Sequence, residues 1–248
     1  MPPYCLTQAD AQCLVHAAQV ALDACAANAK EAIANDGEDI PNRVFIVGTD
    51  TDIGKTHVSC ELIKCWVKQG KKAIGMKAVA AGAALSEAGT WVSADAVALA
   101  AASNVSAPYA LINPILLPKA ISPNLAASQA GVEIELGTIK NAYSELTALS
   151  DCTVVEGAGG LCVPLSETLS GIDLCRMLEL PIVLVVGIRL GCLNHALLTA
   201  YCLQQMGLPF CGWIANHVDP AMPYQDENVA YLQAHLEVPL LARVAFFD

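Results

Sequence analysis

Short apolar runs alternate with longer amphipathic stretches along most of the chain. Five of these runs have the length of buried strands, and they lie at residues 44–47, 72–77, 152–155, 181–186 and 210–215. Four longer stretches have the spacing of amphipathic helices, and they lie at residues 56–69, 93–102, 137–149 and 194–206. Strands that alternate with helices predict an α/β fold, with a mostly parallel sheet that carries helices on both faces.

The first 42 residues differ from the rest of the chain. Residues 11–34 are rich in alanine and contain neither glycine nor proline, which predicts a helix. The sequence Asn-Asp-Gly at residues 35–37 interrupts that pattern, and Pro41 indicates a linker. We therefore predict a helical extension with its linker at residues 1–42, followed by one domain at residues 43–248.

Composition and charge narrow the possible partners. Hydrophobic residues make up 55% of the chain and charged residues 15%, which is typical of a globular protein and argues against a disordered one. The formal net charge of -11 at pH 7 argues against binding to nucleic acid or to an anionic membrane, because both require a basic surface. A nucleotide site remains compatible with this charge, since it needs only local N–H groups and one or two lysines.

The cysteines and the apolar segments indicate a cytoplasmic protein. The 11 cysteines are scattered without a C-x-x-C pair, so neither a zinc site nor a disulfide framework is expected. The N-terminus lacks a basic region followed by an apolar run, which a secretory signal would require. The most apolar stretch, at residues 181–188, is too short to cross a bilayer.

The segment VFIVGTDTDIGKTHVS, at residues 44–59, joins the first predicted strand to the first predicted helix. Small residues at such a junction allow backbone N–H groups to point at a phosphate, and the helix N-terminus favours its negative charge. Gly54, Lys55 and Thr56 match the end of the G-x-x-x-x-G-K-[ST] loop, in which lysine contacts the β- and γ-phosphates and the hydroxyl binds Mg²⁺. Gly48 lies one residue earlier than the first glycine of that pattern. The segment predicts a P-loop NTPase-like fold.

Further motifs follow this loop along the chain. They are GMK at residues 75–77, Asp95, VEGAGG at 155–160, VVGIRLGCLNHA at 185–196 and WIAN at 213–216. Together with GTDTDIGKT at residues 48–56, they resemble the signature of the dethiobiotin synthetase family. The loop by itself indicates only a P-loop protein, whereas its combination with the later motifs is specific. The resemblance covers most of residues 43–248.

The resemblance implies an enzyme of biotin biosynthesis that converts 7,8-diaminononanoate, CO₂ and ATP to dethiobiotin, ADP and phosphate. One amine of the substrate forms a carbamate, ATP phosphorylates the carbamate to a mixed anhydride, and the second amine closes the cyclic urea. Phosphoryl transfer requires two oxygens in line and neutralisation of the spreading charge. The resemblance implies small-molecule partners, namely 7,8-diaminononanoate, CO₂ and ATP, and Mg²⁺ as the cofactor.

The resemblance also implies roles for individual residues. Lys55 and Lys77 correspond to catalytic lysines, and Lys77 is expected to steady the carbamate and its phosphorylated form. Mg²⁺ ligation is expected of Thr56, Asp95 and Glu156. ATP binding is expected of Asp52, Ile53, Gly54, Lys55, Thr56, His57, Asp95, Glu156, Gly157, Ala158, Gly159, Asn216 and His217.

Substrate binding is expected of two separate parts of the chain. The residues concerned are Ala81, Gly159, Gly191, Cys192, Leu193 and Asn194. In the family, the segment that corresponds to residues 191–194 comes from the partner subunit and holds the tail of the substrate. The resemblance therefore implies a homodimer. N–H groups that precede a helix suit a carboxylate, which agrees with this role.

Several of these residues have an alternative interpretation. Asp52 is equally consistent with an acid that complements the dipole of the following helix. Lys77 and Asp95, taken alone, resemble an exposed lysine at a strand end and an ordinary helical surface acid. Asn194 also suits a helix cap. Glu156 is more specific, because it follows an apolar strand and precedes four small residues.

The sequence departs from the family pattern in the substrate and adenine regions. Ala81 replaces a serine, Asn124 replaces a histidine, and His217 replaces an acid. These changes leave open a second hypothesis, a nucleotide-binding dimeric homologue with little or no synthetase activity and a regulatory or scaffold role. A partition-type ATPase is less consistent, because those proteins carry a lysine early in the loop, where this chain has Asp50.

Overall fold

The computed structural model describes residues 42–86 and 89–246. The helix and linker predicted within residues 1–42 lie outside the described part, apart from residue 42 itself. The helices are α1 (Lys55–Lys68), α2 (Ala94–Ala102), α3 (Tyr109–Ile112), α4 (Pro123–Ala130), α5 (Leu136–Leu149), α6 (Gly171–Leu178), α7 (Cys192–Gln205) and α8 (Gln225–His235). The strands are β1 (Arg43–Gly48), β2 (Ala73–Lys77), β3 (Val79–Ala81), β4 (Ala84–Leu85), β5 (Trp91–Val92), β6 (Ile115–Leu117), β7 (Cys152–Gly160), β8 (Ile182–Ile188), β9 (Phe210–His217) and β10 (Leu240–Val244).

A six-stranded parallel sheet forms the centre of the domain, in the order β10-β9-β8-β1-β7-β2. Strand β1 lies between β7 and β8, with Phe45 opposite Val155 on one side and Ile182 on the other. All seven residues of β8 are buried, as expected for a parallel strand that is covered on both faces. The continuous apolar runs in the sequence therefore reflect burial on two sides.

Helices cover both faces of this sheet, which confirms the predicted α/β class. Successive residues of a strand point to opposite faces. In β1, Val44 and Ile46 join a cluster with residues of α1 and α2, whereas Phe45 and Val47 join a larger cluster with residues of α4 to α8. Two apolar cores thus hold the strand ends in place, and those ends carry the candidate site.

The structure extends the predicted pattern in several places. Every strand and helix predicted within residues 43–248 is present with small shifts at its ends. Strand β7 continues past the predicted residues 152–155 to Gly160, because its glycine-rich end still pairs with β1 at Gly48. The parallel pair β3–β6, the β4–β5 hairpin, the edge strand β10 and the helices α3, α4, α6 and α8 are additional. The strands β3 to β6 have two or three residues each, too few to produce a visible periodicity.

Two further expectations concern membranes and cysteines. None of the helices in the described residues combines the length and the apolar character that a membrane crossing needs.

The eight cysteines in this part of the chain are all free thiols, and most of them are buried. Buried reduced cysteines pack as small apolar residues.

Replacing Gly75 with alanine should lower the free energy of unfolding by about 1–3 kcal/mol, because the site has no room for a methyl group. A Cβ at this position of β2 would lie 2.7 Å from Ile63 Cδ1 and 2.9 Å from Leu99 Cβ. Gly137→Ala is the matched control on the exposed side of α5, where no atom lies within 4 Å of an added Cβ. That change should be neutral or stabilise by up to about 1 kcal/mol. Urea unfolding measures both, and equal midpoints would contradict the packing argument.

Candidate active site

A cleft of about 750 Å³ opens where β1, β2 and β7 end. The carboxyl ends of parallel strands are the usual ligand sites of such sheets. The residues that line this cleft come from the loop before α1, the ends of β2 and β7, the start of α2 and the segment before α4. They are Thr51, Asp52, Gly54, Lys55, Thr56, Lys77, Val79, Ala81, Asp95, Ala120, Ile121, Ser122, Pro123, Glu156, Ala158, Gly159 and Val163.

The loop between β1 and α1 ends at a glycine that no other residue could replace without strain. Gly54 has a φ of 80°, in the left-handed region, and an added Cβ would lie 2.1 Å from Asn216 Nδ2. The same Asn216 nitrogen donates a hydrogen bond of 2.7 Å to the Ile53 carbonyl. The end of β9 therefore supports the loop from behind, so that its N–H groups are held at the N-terminus of α1.

The side chain of Lys55 folds back across this loop. Its Nζ donates a hydrogen bond of 2.6 Å to the Asp50 carbonyl. An added Cβ on Gly48 would lie 2.8 Å from Lys55 Cδ and 2.9 Å from Lys55 Nζ. The early glycine thus makes room for the lysine. Burial, together with the nearby Lys77 ammonium, lowers the pKa of Lys55 to about 8.

A buried carboxylate lies at the centre of the site. Glu156 is fully buried on β7, and its Oε1 accepts hydrogen bonds from Thr56 Oγ1 at 2.8 Å and from Lys77 Nζ at 2.7 Å. Lys77 is directly opposite Glu156 because β2 and β7 are neighbouring parallel strands in this register. The Lys77 ammonium also lies 2.8 Å from Asp95 Oδ2, which the first turn of α2 supplies. Four segments that are distant in sequence thus meet at one ion-pair network.

Lys77 and Asp95 keep their charge at neutral pH. Burial on its own lowers the pKa of the Lys77 ammonium, but the carboxylates of Glu156 and Asp95 outweigh it and raise that pKa above its usual value. Burial raises the pKa of Asp95, but Lys77 and the hydroxyl of Thr56 outweigh it and bring that pKa below its usual value. Lys77 and Asp95 therefore form an ion pair between a charged ammonium and a charged carboxylate.

The oxygens of this site suit a hard divalent cation. Thr56, Asp95 and Glu156 offer hydroxyl and carboxylate oxygens, and Glu156 Oε2 is buried without a hydrogen-bond partner among the described residues. No group of three or more His, Cys, Asp or Glu residues that could hold a metal ion occurs in residues 42–86 and 89–246. A cation such as Mg²⁺ would therefore complete its shell with waters and with phosphate oxygens of a ligand.

The glycine-rich end of β7 brings backbone close to the cleft. The Gly157 carbonyl accepts a hydrogen bond of 3.3 Å from Lys77 Nζ. Gly159 has a φ of 57°, and it lines the cleft together with Ala158. Ala81 lines the same cleft from the end of β3. Small residues thus keep this wall open for a ligand.

Some of the expected site residues lie behind the cleft lining. Ile53 is buried under the loop, and Asn216 bonds to it. The ring of His57 is half-buried on α1, and burial lowers its pKa. His217 shares a short hydrogen bond between its Nδ1 and Gln225 Oε1. These positions surround the loop without lining the cleft between Lys55 and Glu156.

The expected substrate segment at residues 191–194 lies outside the cleft of the same chain. Gly191, with a φ of 96°, precedes α7, and Asn194 is exposed in the first turn of that helix. Arg189, just before this segment, forms an ion pair with Asp50 of the loop. The segment is thus tied to the loop but presents its Asn194 side chain to solvent.

The expected site residues did not include one wall of the cleft, formed by residues 120–123 and by Val79 and Val163. Of this wall, the sequence had indicated only the segment that leads into Asn124 as part of the substrate region. A local signal was present, because Ser122 and Pro123 have the pattern of a helix start with proline in the first turn. The contribution of Asp50, whose carbonyl accepts from Lys55, had no signal in the sequence.

The chain is similar to known proteins both in sequence and in fold. An AAA domain family model matches residues 42–247. The ATP-dependent dethiobiotin synthetase BioD of Janthinobacterium sp. (strain Marseille) is 48% identical over 203 residues, which cover 81% of this chain and 86% of that protein. The enzyme of the same name from Xylella fastidiosa (strain 9a5c) is 48% identical over 195 residues, 79% of this chain and 86% of that protein.

A solved structure shows the same fold at low sequence identity. The septum site-determining protein MinD of Pyrococcus horikoshii OT3, complexed with Mg-ADP, superposes with a TM-score of 0.51 and 18% identity over 82% of this chain and 80% of that chain. This likeness concerns the P-loop NTPase-like fold alone. The sequence relatives go further: the chain belongs to the ATP-dependent dethiobiotin synthetase family.

Proposed function

We propose that this chain closes 7,8-diaminononanoate and CO₂ into dethiobiotin with release of ADP and phosphate, as a dethiobiotin synthetase of biotin biosynthesis. The observation that carries this proposal is the convergence of Lys55, Thr56, Lys77, Asp95 and Glu156 on one cleft at the strand ends. This set combines the cations and hard oxygens that ATP-dependent phosphoryl transfer requires.

The loop before α1 would hold the phosphates of ATP. Its N–H groups and the dipole of α1 favour negative charge at this point, and Lys55 adds a cation directly beside it. Asn216 and His217, at the end of β9, lie behind the loop and would approach the adenine. Gly157, Ala158 and Gly159 would face the phosphates from the opposite wall.

Thr56, Asp95 and Glu156 would hold Mg²⁺. The ion supplies positive charge that neutralises the phosphate oxygens during phosphoryl transfer. Glu156 Oε2, which has no hydrogen-bond partner within residues 42–86 and 89–246, and the hydroxyl of Thr56 are the oxygens that fit it. Lys77 holds Glu156 and Asp95 in position from the other side.

Lys77 and Lys55 would stabilise negative charge on different reacting groups. Lys77 remains an ammonium ion and would stabilise the carbamate that forms from one substrate amine and CO₂. A carbamate oxygen then attacks the γ-phosphorus and ADP leaves, with Lys55 beside the transferred group. The second amine attacks the carbamate carbon, phosphate leaves, and the cyclic urea is complete. Ala81 and Gly159 would contact the substrate where they line the cleft.

A homodimer would complete the substrate site. Asn194, Leu198 and Tyr201 follow one another at helical spacing along α7, and all three are exposed. Leu190, two residues before the helix, is 91% exposed. An apolar surface of this kind is typical of an interface. In the proposed dimer, Gly191, Cys192, Leu193 and Asn194 of one subunit bind the tail of the substrate held by the other.

The assay that tests the function measures ADP release with MgATP and bicarbonate, with and without 7,8-diaminononanoate, and detects dethiobiotin by mass. We expect diamine-dependent ADP release with matching product, and a loss of at least about 100-fold in Lys55→Ala, because a donor aimed at the transition-state charge is removed. Lys68→Ala, an exposed lysine on the same helix, is the control. ATP binding without product would favour the non-catalytic homologue.

Nucleotide affinity should decrease as the pH rises above about 8. The free protein holds the pKa of Lys55 at about 8, and bound phosphates favour the charged ammonium, so binding takes up a proton above that pH. The dissociation constant should rise by up to about tenfold per pH unit from there. Calorimetry from pH 7 to 9.5 in buffers of different ionisation enthalpy measures both the dissociation constant and the proton uptake. A dissociation constant that does not change with pH would contradict a contact between Lys55 and the phosphates. The control variant Lys68→Met should show the same pH dependence as the unsubstituted protein.

Leu198→Asp should raise the dimer dissociation constant by about 30-fold or more, because a charge replaces an apolar anchor worth about 2 kcal/mol. Leu149→Asp is the control, since Leu149 is similarly exposed at the end of α5. Light scattering over a concentration series measures the mass. An unchanged mass in both variants would place the interface elsewhere.

A further inference from the structure

A buried asparagine joins the central sheet to the β3–β6 pair beside the candidate site. Asn113 follows α3 and is 3% exposed. Its Nδ2 donates hydrogen bonds to the carbonyl of Lys77 at 2.9 Å and to that of Ile115 at 3.0 Å. Lys77 is the last residue of β2, and Ile115 is the first of β6. The side chain of Asn113 therefore fixes the backbone from which the Lys77 ammonium extends.

A tyrosine continues this connection towards α2. The hydroxyl of Tyr109 lies 3.3 Å from Asn113 Oδ1 and accepts a hydrogen bond of 2.7 Å from the backbone N–H of Ser93. Ser93 precedes α2, and its own side chain forms no capping bond with the helix. Asp95 follows two residues later in the first turn. The tyrosine thus holds the helix end that carries the second carboxylate of the site.

The direction of each hydrogen bond in this chain is determined by the chemistry of its members. Both N–H groups of the Asn113 amide are used by carbonyl oxygens, so its Oδ1 must accept. Tyr109 therefore donates its only proton to Asn113, and its lone pair faces the N–H of Ser93. A phenylalanine at 109 would leave both neighbours without this partner. The arrangement links the backbones of Lys77 and Ser93 through two side chains.

We propose that Tyr109 and Asn113 are positioning residues, which set the separation between the Lys77 ammonium and the Asp95 carboxylate and so the geometry of the oxygens that would hold Mg²⁺. Neither residue lines the cleft. They act through the backbone of Lys77 and through that of Ser93, two residues before Asp95. Lys77 and Asp95 form the 2.8 Å ion pair. This inference rests on the proposed function, because it takes Asp95 and Glu156 as ligands of the ion.

The test is binding of ADP by calorimetry, with and without Mg²⁺, in the full chain and in Tyr109→Phe. We expect Mg²⁺-dependent ADP binding to weaken by about tenfold in the variant, as for other residues that orient metal ligands, while metal-free ADP binding stays unchanged. Tyr143→Phe is the matched control. Tyr143 is also half-buried, but its hydroxyl bonds to Arg43 at the opposite end of β1.

A double-mutant cycle with Asp95→Asn separates positioning from general loosening of the fold. If Tyr109 acts through Asp95, adding Tyr109→Phe to Asp95→Asn should change Mg²⁺-dependent binding by less than about twofold. A further tenfold loss in that background, or equal losses with and without Mg²⁺, would overturn the inference. Normal Mg²⁺-dependent binding by Tyr109→Phe would overturn it as well, with the proposed function intact. Absence of Mg²⁺-dependent ADP binding in the unsubstituted protein would overturn both.

Discussion

The burial of the Glu156 carboxylate is the constraint on which the rest of the site depends. An ionised carboxylate removed from water costs several kcal/mol unless cations and hydrogen-bond donors offset that cost. Lys77 and Thr56 supply them at 2.7 and 2.8 Å. This requires β2 to lie beside β7 and α1 to begin at the end of β1. The arrangement of charges therefore depends on the order of the strands. In turn, the bond between Lys77 and Glu156, both proposed site residues, ties the edge strand β2 to β7.

Sequence reasoning captured what depends on local pattern. The alternation of apolar runs and helical spacing was sufficient for the α/β class, and the motifs around Lys55, Lys77 and Glu156 indicated groups that do meet in one cleft. Part of what it missed depends on distant contacts. The strands β3 and β6 are three residues each, and the bond from Asn113 to Lys77 spans 36 positions. The sequence showed that Gly48 lies one residue earlier than in the usual loop pattern. Only the structure explains why a glycine is needed there, because the Lys55 side chain folds back over it.

The departures from the family pattern lie around the ion-pair network and leave it intact. Ala81 lines the cleft, where a methyl group takes the place of a hydroxyl. His217 bonds to Gln225, on the far side of the loop. Asn124, in the first turn of α4, has a buried Oδ1 without a hydrogen-bond partner among the described residues. None of these three side chains belongs to the network of Lys77, Asp95 and Glu156, and only Ala81 lines the cleft. The departures therefore leave the charges of the cleft unchanged.

The place of β1 in the middle of the sheet also has a kinetic consequence. The strand ends at Gly48, but its two neighbours are β7, which begins at Cys152, and β8, which ends at Ile188. Pairings so far apart in sequence require closure of long loops before any contact stabilises them, and parallel sheets of this kind fold slowly. During synthesis, the strand that leads into the phosphate loop must wait for more than a hundred further residues. Until then the strand lacks the partners on both of its edges, and unpaired strand edges are prone to aggregation.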